Sequence, residues 1–135
     1  MHPHPVRHIT ILYNNVKQIS FGEKKDILAD EDTVKTAKYV YSTFKKLKYD
    51  TALFEVDEKS VFQISHLKTD FLFNLCGGIG SIPESEHEAA KFIGASQIPY
   101  SGANSETISL TNDKIKTKEM FKKYGIPTAP FFILK

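Results

Sequence analysis

The sequence has 135 residues, 41% of them hydrophobic, 25% charged and 12% aromatic, with 18 basic side chains against 16 acidic ones. That is a globular balance with room for one core, which argues against a disordered chain, and the near-even charge argues against a dedicated nucleic-acid module. No apolar run approaches the ~20 residues of a membrane span. The opening MHPHPVRH lacks the apolar core of a signal peptide. A single cysteine, Cys76, excludes an internal disulfide and fits a reducing compartment. The expectation is a soluble, cytoplasmic domain.

In chain order, residues 8–13 (HITILY) alternate and are rich in β-branched side chains, which predicts a first strand. Residues 14–32 have no clean period and read as a long loop carrying Phe21-Gly22 and the charged GEKKD. From Thr33, the apolar positions Val34, Ala37, Val40, Tyr41, Phe44 and Leu47 follow a helical spacing, with Asp30, Asp32 and Thr33 as candidate caps and lysines at the end. Residues 51–56 (TALFEV) predict a second strand, and 57–68 a short amphipathic helix. Residues 70–75 (DFLFNL) are the most apolar strand, expected at the centre of the sheet because a strand covered on both faces loses its polar alternation. CGGIG follows directly, then a helix over about residues 83–95, a short edge strand and turn over 98–102, and helical pieces over 105–110 and 114–124. Gly125 and Pro127 stop the last helix, and PFFILK closes the chain as an apolar, strand-like run.

Strand and helix alternating in this order predict an α/β fold: a three-layer domain with a mostly parallel, Rossmann-like sheet and right-handed crossovers. Ligands of such sheets gather beyond the carboxyl ends of the strands, which places residues 14 onward and the CGGIG turn on one functional edge.

Several residues along the chain are candidates for chemistry. In Gly77, Gly78, Ile79 and Gly80 the missing β-carbons allow backbone N–H groups to approach an anion, although neither a dinucleotide fingerprint nor a phosphate-loop G-K-[ST] is present. A structural turn and a ligand cradle both remain open. Cys76 with His87 suggests either a thiol nucleophile or a small buried residue, the second being favoured. His2, His4 and His8 read as a terminus rather than a metal site. Lys114, Lys116, Lys118, Lys122 and Lys123 form mostly a solvated face. Lys114 differs, because a cation at a helix start opposes the dipole and wants a reason such as a phosphate partner.

Four pieces occur in order: Phe73-Asn74 before a glycine loop, Ile98-Pro99-Tyr100-Ser101-Gly102, Asn112-Asp113-Lys114 followed by Thr117-Lys118, and Gly125-Ile126-Pro127-Thr128. Together they resemble the D-alanine:D-alanine ligase family and related ATP-grasp ligases over about residues 9–134. In such enzymes ATP activates a carboxylate as an acyl phosphate, which an amine then attacks. The resemblance implies an N-terminal substrate-side α/β domain over residues 1–110. Over 111–135 it implies a connecting helix and the first strand leading to a central ATP-grasp domain that is absent. It matches Lys114 to the lysine that reaches ATP phosphate, and Gly77, Gly78, Ile79 and Gly80 to the loop beside the first amino acid. No catalytic or metal-binding residue is assigned on this chain. ATP and magnesium belong to the full-length relative, with an amino-acid-like small substrate, and none is expected to bind this chain alone, which is expected to be inactive.

The chain departs from the family in two places. Asn14-Asn15-Val16-Lys17-Gln18 stands where a glycine/serine loop with an ammonium-holding glutamate is usual, and Gly77-Gly78 stands where histidine-glycine is common. The alternative from another class is a non-catalytic flavodoxin-like binding or regulatory domain. No nucleic-acid or membrane partner is expected. The apolar residues 130–134 are expected to support self-association.

Overall fold

The structure, a computed structural model, describes residues 5–16 and 24–133, with the side chains of 24–31 left aside. His2, His4, Lys17, Gln18, Phe21-Gly22 and Leu134 lie outside the described residues. The elements run β1 (His8–Tyr13), α1 (Lys24–Lys46), β2 (Asp50–Glu55), a 3-10 helix (Val61–His66), β3 (Phe71–Asn74), α2 (Glu86–Ala95), α3 (Ser105–Asn112) and α4 (Lys114–Lys123).

All three strands are parallel, in the order β2-β1-β3. Ile9 pairs with Thr51 on one side and Phe71 on the other, and Leu12 pairs with Phe54 and Asn74. Alternation along β1 divides the sheet into two apolar faces. Ile9 and Ile11 share a face with Phe73, whose ring meets Phe44 of α1 edge-on at 5.5 Å. Leu12 and Leu72 face the other way and join Val56, Val61, Ile64, Ile79, Ala89 and Ile93 in one buried cluster, under the 3-10 helix and α2. Helix, sheet and helix make the three-layer α/β domain that the alternating pattern predicts.

Four expectations are corrected. Helix α1 begins at Lys24 rather than near Thr33. The segment KKDILADED has little apolar period, but Lys, Leu, Ala and Glu are good helix formers and propensity carries it. The centre of the three-stranded sheet is β1, not β3. Pairing, not apolar content, decides position: β3 has β1 on one side and on the other a single bridge from Leu72 to Tyr100. The short helix expected in 57–68 is a 3-10 helix over Val61–His66, whereas α2 starts at Glu86, leaving Pro83 and Glu84 in the preceding turn. Residues 126–133 form no regular element, so the strand-like closing run is not a strand among the described residues.

At the opposite end of the sheet from the glycine loop, the Asp70 carboxylate accepts the N–H groups of His8 and Arg7, each at 2.9 Å. These bonds, His8 first, hold its pKa below the usual carboxylate value. Lys48 (φ 66°) and Gln97 (φ 59°) adopt left-handed backbone just past the ends of α1 and α2, a common way to close a helix.

Candidate functional site

The chain leaves β1 toward β2 on one side, while β3 lies on the other, so the crevice beyond the ends of β1 and β3 is the topological switch point of the sheet. Asn14, immediately after β1, is buried there. Its Oδ1 accepts the Gly77 N–H at 2.9 Å and its Nδ2 donates to the Gly80 carbonyl at 3.5 Å, so one side chain ties both ends of the glycine turn to the sheet. Three further amides of the turn are engaged inside the protein. Cys76 N–H donates to Asn74 Oδ1 at 2.9 Å, Ile79 N–H to Ser85 Oγ at 2.8 Å, and Gly80 N–H to the Val56 carbonyl at 3.0 Å. Ser85 Oγ in turn donates a hydrogen bond to the Ile82 carbonyl at 2.7 Å.

Gly78 is required by space and Gly80 is favoured by its left-handed backbone, since the Glu58 carboxylate it would meet is the movable end of an exposed side chain. A β-carbon on Gly78 would stand 2.9 Å from Ser85 Oγ, and one on Gly80, already at φ 52°, would stand 2.7 Å from a Glu58 carboxylate oxygen. Gly77 is open to solvent, and a β-carbon there would meet nothing nearer than Asn14 Oδ1 at 3.8 Å. The sequence leaves open a turn or an anion cradle, and these bonds give the amides of Cys76, Gly77, Ile79 and Gly80 internal partners. Ser85 and Glu58 are missing from the sequence reading as site residues, and Asn14 enters it only as the start of the segment on the functional edge, without its bonds to the glycine turn. The partners of Asn14 lie more than sixty positions away, and no local pattern marks them.

Lys114 lies in a separate cleft of about 510 Å³, lined by Glu84, His87, Ser109, Asn112, Asp113, Lys114 and Lys116. Glu84 of this lining directly precedes Ser85, whose hydroxyl holds the Ile79 N–H. Glu84 enters this cleft at φ 54°, left-handed for a non-glycine residue and not explained by a helix end, because it precedes α2.

Lys114 has a local reason for its position: its Nζ donates to the Thr111 carbonyl at 2.8 Å, in the last turn of α3. There the helix dipole favours a cation, which offsets its adverse place at the start of α4. Asp113 caps α4 by accepting the N–H groups of Ile115 (3.1 Å) and Lys116 (3.0 Å), and its Oδ2 meets Lys116 Nζ at 3.1 Å. Its bonds with Lys116 lower its pKa. Thr117 Oγ1 bridges back to the Leu110 carbonyl at 2.7 Å.

The remaining motif pieces also meet. Asn74 N–H donates to Ser101 Oγ at 2.9 Å beside the Leu72 to Tyr100 bridge, and Lys118 Nζ reaches Thr128 Oγ1 (3.2 Å) and the Ala129 carbonyl (3.1 Å). Phe131 lies under Lys118 and Lys122, whose Nζ atoms stand 5.2 and 4.6 Å from its ring centre, while Phe132 is 84% exposed. Cys76 belongs to the core cluster, and burial pushes its thiol up to about 12, so it is a packed, protonated residue. Among the described residues no three His, Cys, Asp or Glu side chains converge on a metal position, and no helix is long and apolar enough to cross a membrane.

No family model matches the chain. Among curated proteins it is similar to the D-alanine–D-alanine ligase of Pseudoalteromonas translucida (strain TAC 125), 24% identical over 104 residues. The relationship is distant, and it is to a ligase. The match covers 77% of this chain and 33% of that protein, so it spans about a third of the relative's length. Together with the parallel sheet, it supports a ligase-like domain.

Proposed function

We propose that the chain is the N-terminal, substrate-side domain of an ATP-dependent carboxylate–amine ligase of the D-alanine–D-alanine ligase type. The observation that carries this reading is the similarity to a curated ligase over 77% of the chain. The position of the glycine turn at the switch point supports it, since that is where α/β sheets receive ligands. Residues 1–110 form the substrate-side unit in this reading, and 111–135 lead toward an ATP-binding domain. The turn from Gly77 through Gly78 and Ile79 to Gly80 borders the first amino acid. Lys114, in a cleft of a size suited to small ligands, reaches ATP phosphate when a second domain closes over it.

ATP supplies the phosphoryl group that activates a carboxylate, and magnesium accompanies it. In this reading the ligands of that ion belong to the full-length ligase, and among the described residues no acidic cluster comes together. The compartment is the cytoplasm, where ATP and amino-acid building blocks of peptidoglycan occur. The exposed Phe132 and its neighbours in 130–134 offer a surface for self-association.

The test is a chimera in which this chain replaces the corresponding third of the Pseudoalteromonas ligase. The expected result is ADP release that depends on an added amino acid, lost in Lys114→Ala, while the chain alone neither binds nor hydrolyses ATP. A folded, ATP-binding chimera whose turnover ignores every amino acid would contradict the reading.

A further inference from the structure

Beside the Lys114 cleft, and sharing His87, Ser109 and Lys116 with it, lies a groove of about 420 Å³ between α2 and α3. Lys91, Ser105, Glu106 and Leu110 line this groove and not the cleft, so it has walls of its own. Two pairs spaced one helical turn apart meet across it: His87 and Lys91 from α2, Ser105 and Ser109 from α3.

These polar groups stand out by having no partner inside the protein. Elsewhere in the chain, hydroxyls within helices bond back to the preceding turn: Thr43 Oγ1 donates to the Tyr39 carbonyl at 2.9 Å, and Thr111 Oγ1 to the Thr107 carbonyl at 3.0 Å. The Ser109 hydroxyl has the Ser105 carbonyl in the same relation and does not use it. Among the described residues, no hydrogen bond or ion pair engages either serine hydroxyl, the His87 ring, Lys91 Nζ or the Glu106 carboxylate.

Charge narrows the choice of ligand. Lys116 Nζ is committed to Asp113 Oδ2 at 3.1 Å, which leaves one lysine, Lys91, and one carboxylate, Glu106, uncommitted in the groove, one on each helix. The two line the same groove without pairing with each other. A lone anion would meet the repulsion of Glu106, and a lone cation that of Lys91. A small molecule that carries both charges satisfies both helices at once, and the serine hydroxyls add donors for a carboxylate. Leu110 offers apolar contact to a short side chain.

We infer that this groove binds a small zwitterion of the amino-acid class, its carboxylate held by Lys91 and the hydroxyls of Ser105 and Ser109 and its ammonium by Glu106. The site is separate from the glycine turn and from Lys114, and the inference goes beyond the proposed function, which gives these four residues no role. Because Lys91 and Glu106 are exposed, each contact is weak alone and screened by salt, so occupancy requires both.

The experiment is a titration of the full, 15N-labelled chain followed by amide chemical shifts at low, constant ionic strength. Glycine and glycylglycine serve as zwitterions of two charge separations, and acetate and methylammonium as their single-charge halves. The zwitterions are expected to give saturable shifts at residues 87–91 and 105–110, and the single-charge probes to act at least about fivefold more weakly. Lys91→Gln and Glu106→Gln should each weaken the zwitterion response about fivefold, and Lys114→Ala should leave it unchanged. Acetate or methylammonium matching the zwitterions would overturn the inference. So would the lack of a saturable shift with either zwitterion, or an unchanged response in either glutamine variant with its native spectrum. A response lost in Lys114→Ala and kept in both glutamine variants would put the ligand in the neighbouring cleft and overturn it as well.

Discussion

The sheet and the C-terminal arm are built on different physics. In the first, Ile11, Leu12, Ile64, Leu72 and Ile93 are fully buried and the layers hold one another by apolar contact. In the second, α3 and α4 contain no buried residue at all, and Ile115, Tyr124, Ile126, Phe132 and Ile133 are all exposed. The arm is instead held by polar devices at its joints: Asn104 and Asp113 as caps, Lys114 on the end of α3, Thr117 bridging to Leu110, and Lys118 and Lys122 over Phe131. A body closed by deep burial opens less readily than an arm whose apolar residues are at most half-buried and whose joints are polar, and the exposed apolar residues of that arm stay accessible.

Truncation should expose this contrast most strongly. Leu72→Ala, in the shared core, is expected to lower unfolding free energy by ~2–5 kcal/mol in urea titrations, and Ile115→Ala, on the arm, by less than ~1 kcal/mol. Similar losses at the two positions would break the comparison. A smaller effect is expected at the junction of sheet and glycine turn. Asn14→Ala removes the acceptor of the Gly77 N–H, which water can replace because Gly77 is exposed, so ~0.5–1.5 kcal/mol is expected, with the largest chemical-shift changes at residues 77–80.

Acid should act on sheet and arm with the same sign, while alkali should act on the sheet's core through Cys76. Asp70 pins the edge of the sheet and Asp113 caps the arm, and both have pKa values lowered by bonds made in the folded state. The unfolded chain binds their protons more readily, so their stabilisation is complete above the ordinary carboxylate value of about 4 and is lost as pH falls through the lower folded values. Cys76 works in the opposite direction. Its folded value of about 12 lies above the ordinary thiol value of 9.0, so its contribution is present below pH 9 and declines as pH rises toward 12. Acid titration monitored at arm and sheet amides should show Asp113→Asn removing the response of α4 alone. Alkaline unfolding should soften in Cys76→Ala, once its change in baseline stability is subtracted.

The smallest change concerns surface chemistry. Phe132→Asp should leave the unfolding midpoint unchanged and reduce self-association in sedimentation at high protein concentration. Identical sedimentation of variant and parent would remove residues 130–134 as a contact surface.

The fold was legible because strand and helix periods in this chain are local: HITILY, TALFEV and DFLFNL carry their own signatures. The start of α1 was not, since its first turns rest on propensity rather than an apolar stripe. Strand order was not either, because β1 becomes central through partners some forty and sixty residues away. At the candidate site, the glycine turn was visible, but the bonds that occupy it come from Asn14 and Ser85 through folding. Lys114 looked out of place on α4 because the end of α3, which favours it, is apparent once both helices are fixed.

In the function proposed above, an ATP-binding domain covers α3 and α4 while the sheet holds by its own core. Native-state hydrogen exchange of this chain alone and within the ligase chimera tests it most directly. The account predicts rapid exchange along α3 and α4 in the isolated chain and marked protection on joining, with β1 and β3 amides slow in both. An arm protected as strongly as the sheet in the isolated chain, or one that gains no protection in an assembled chimera, would contradict it.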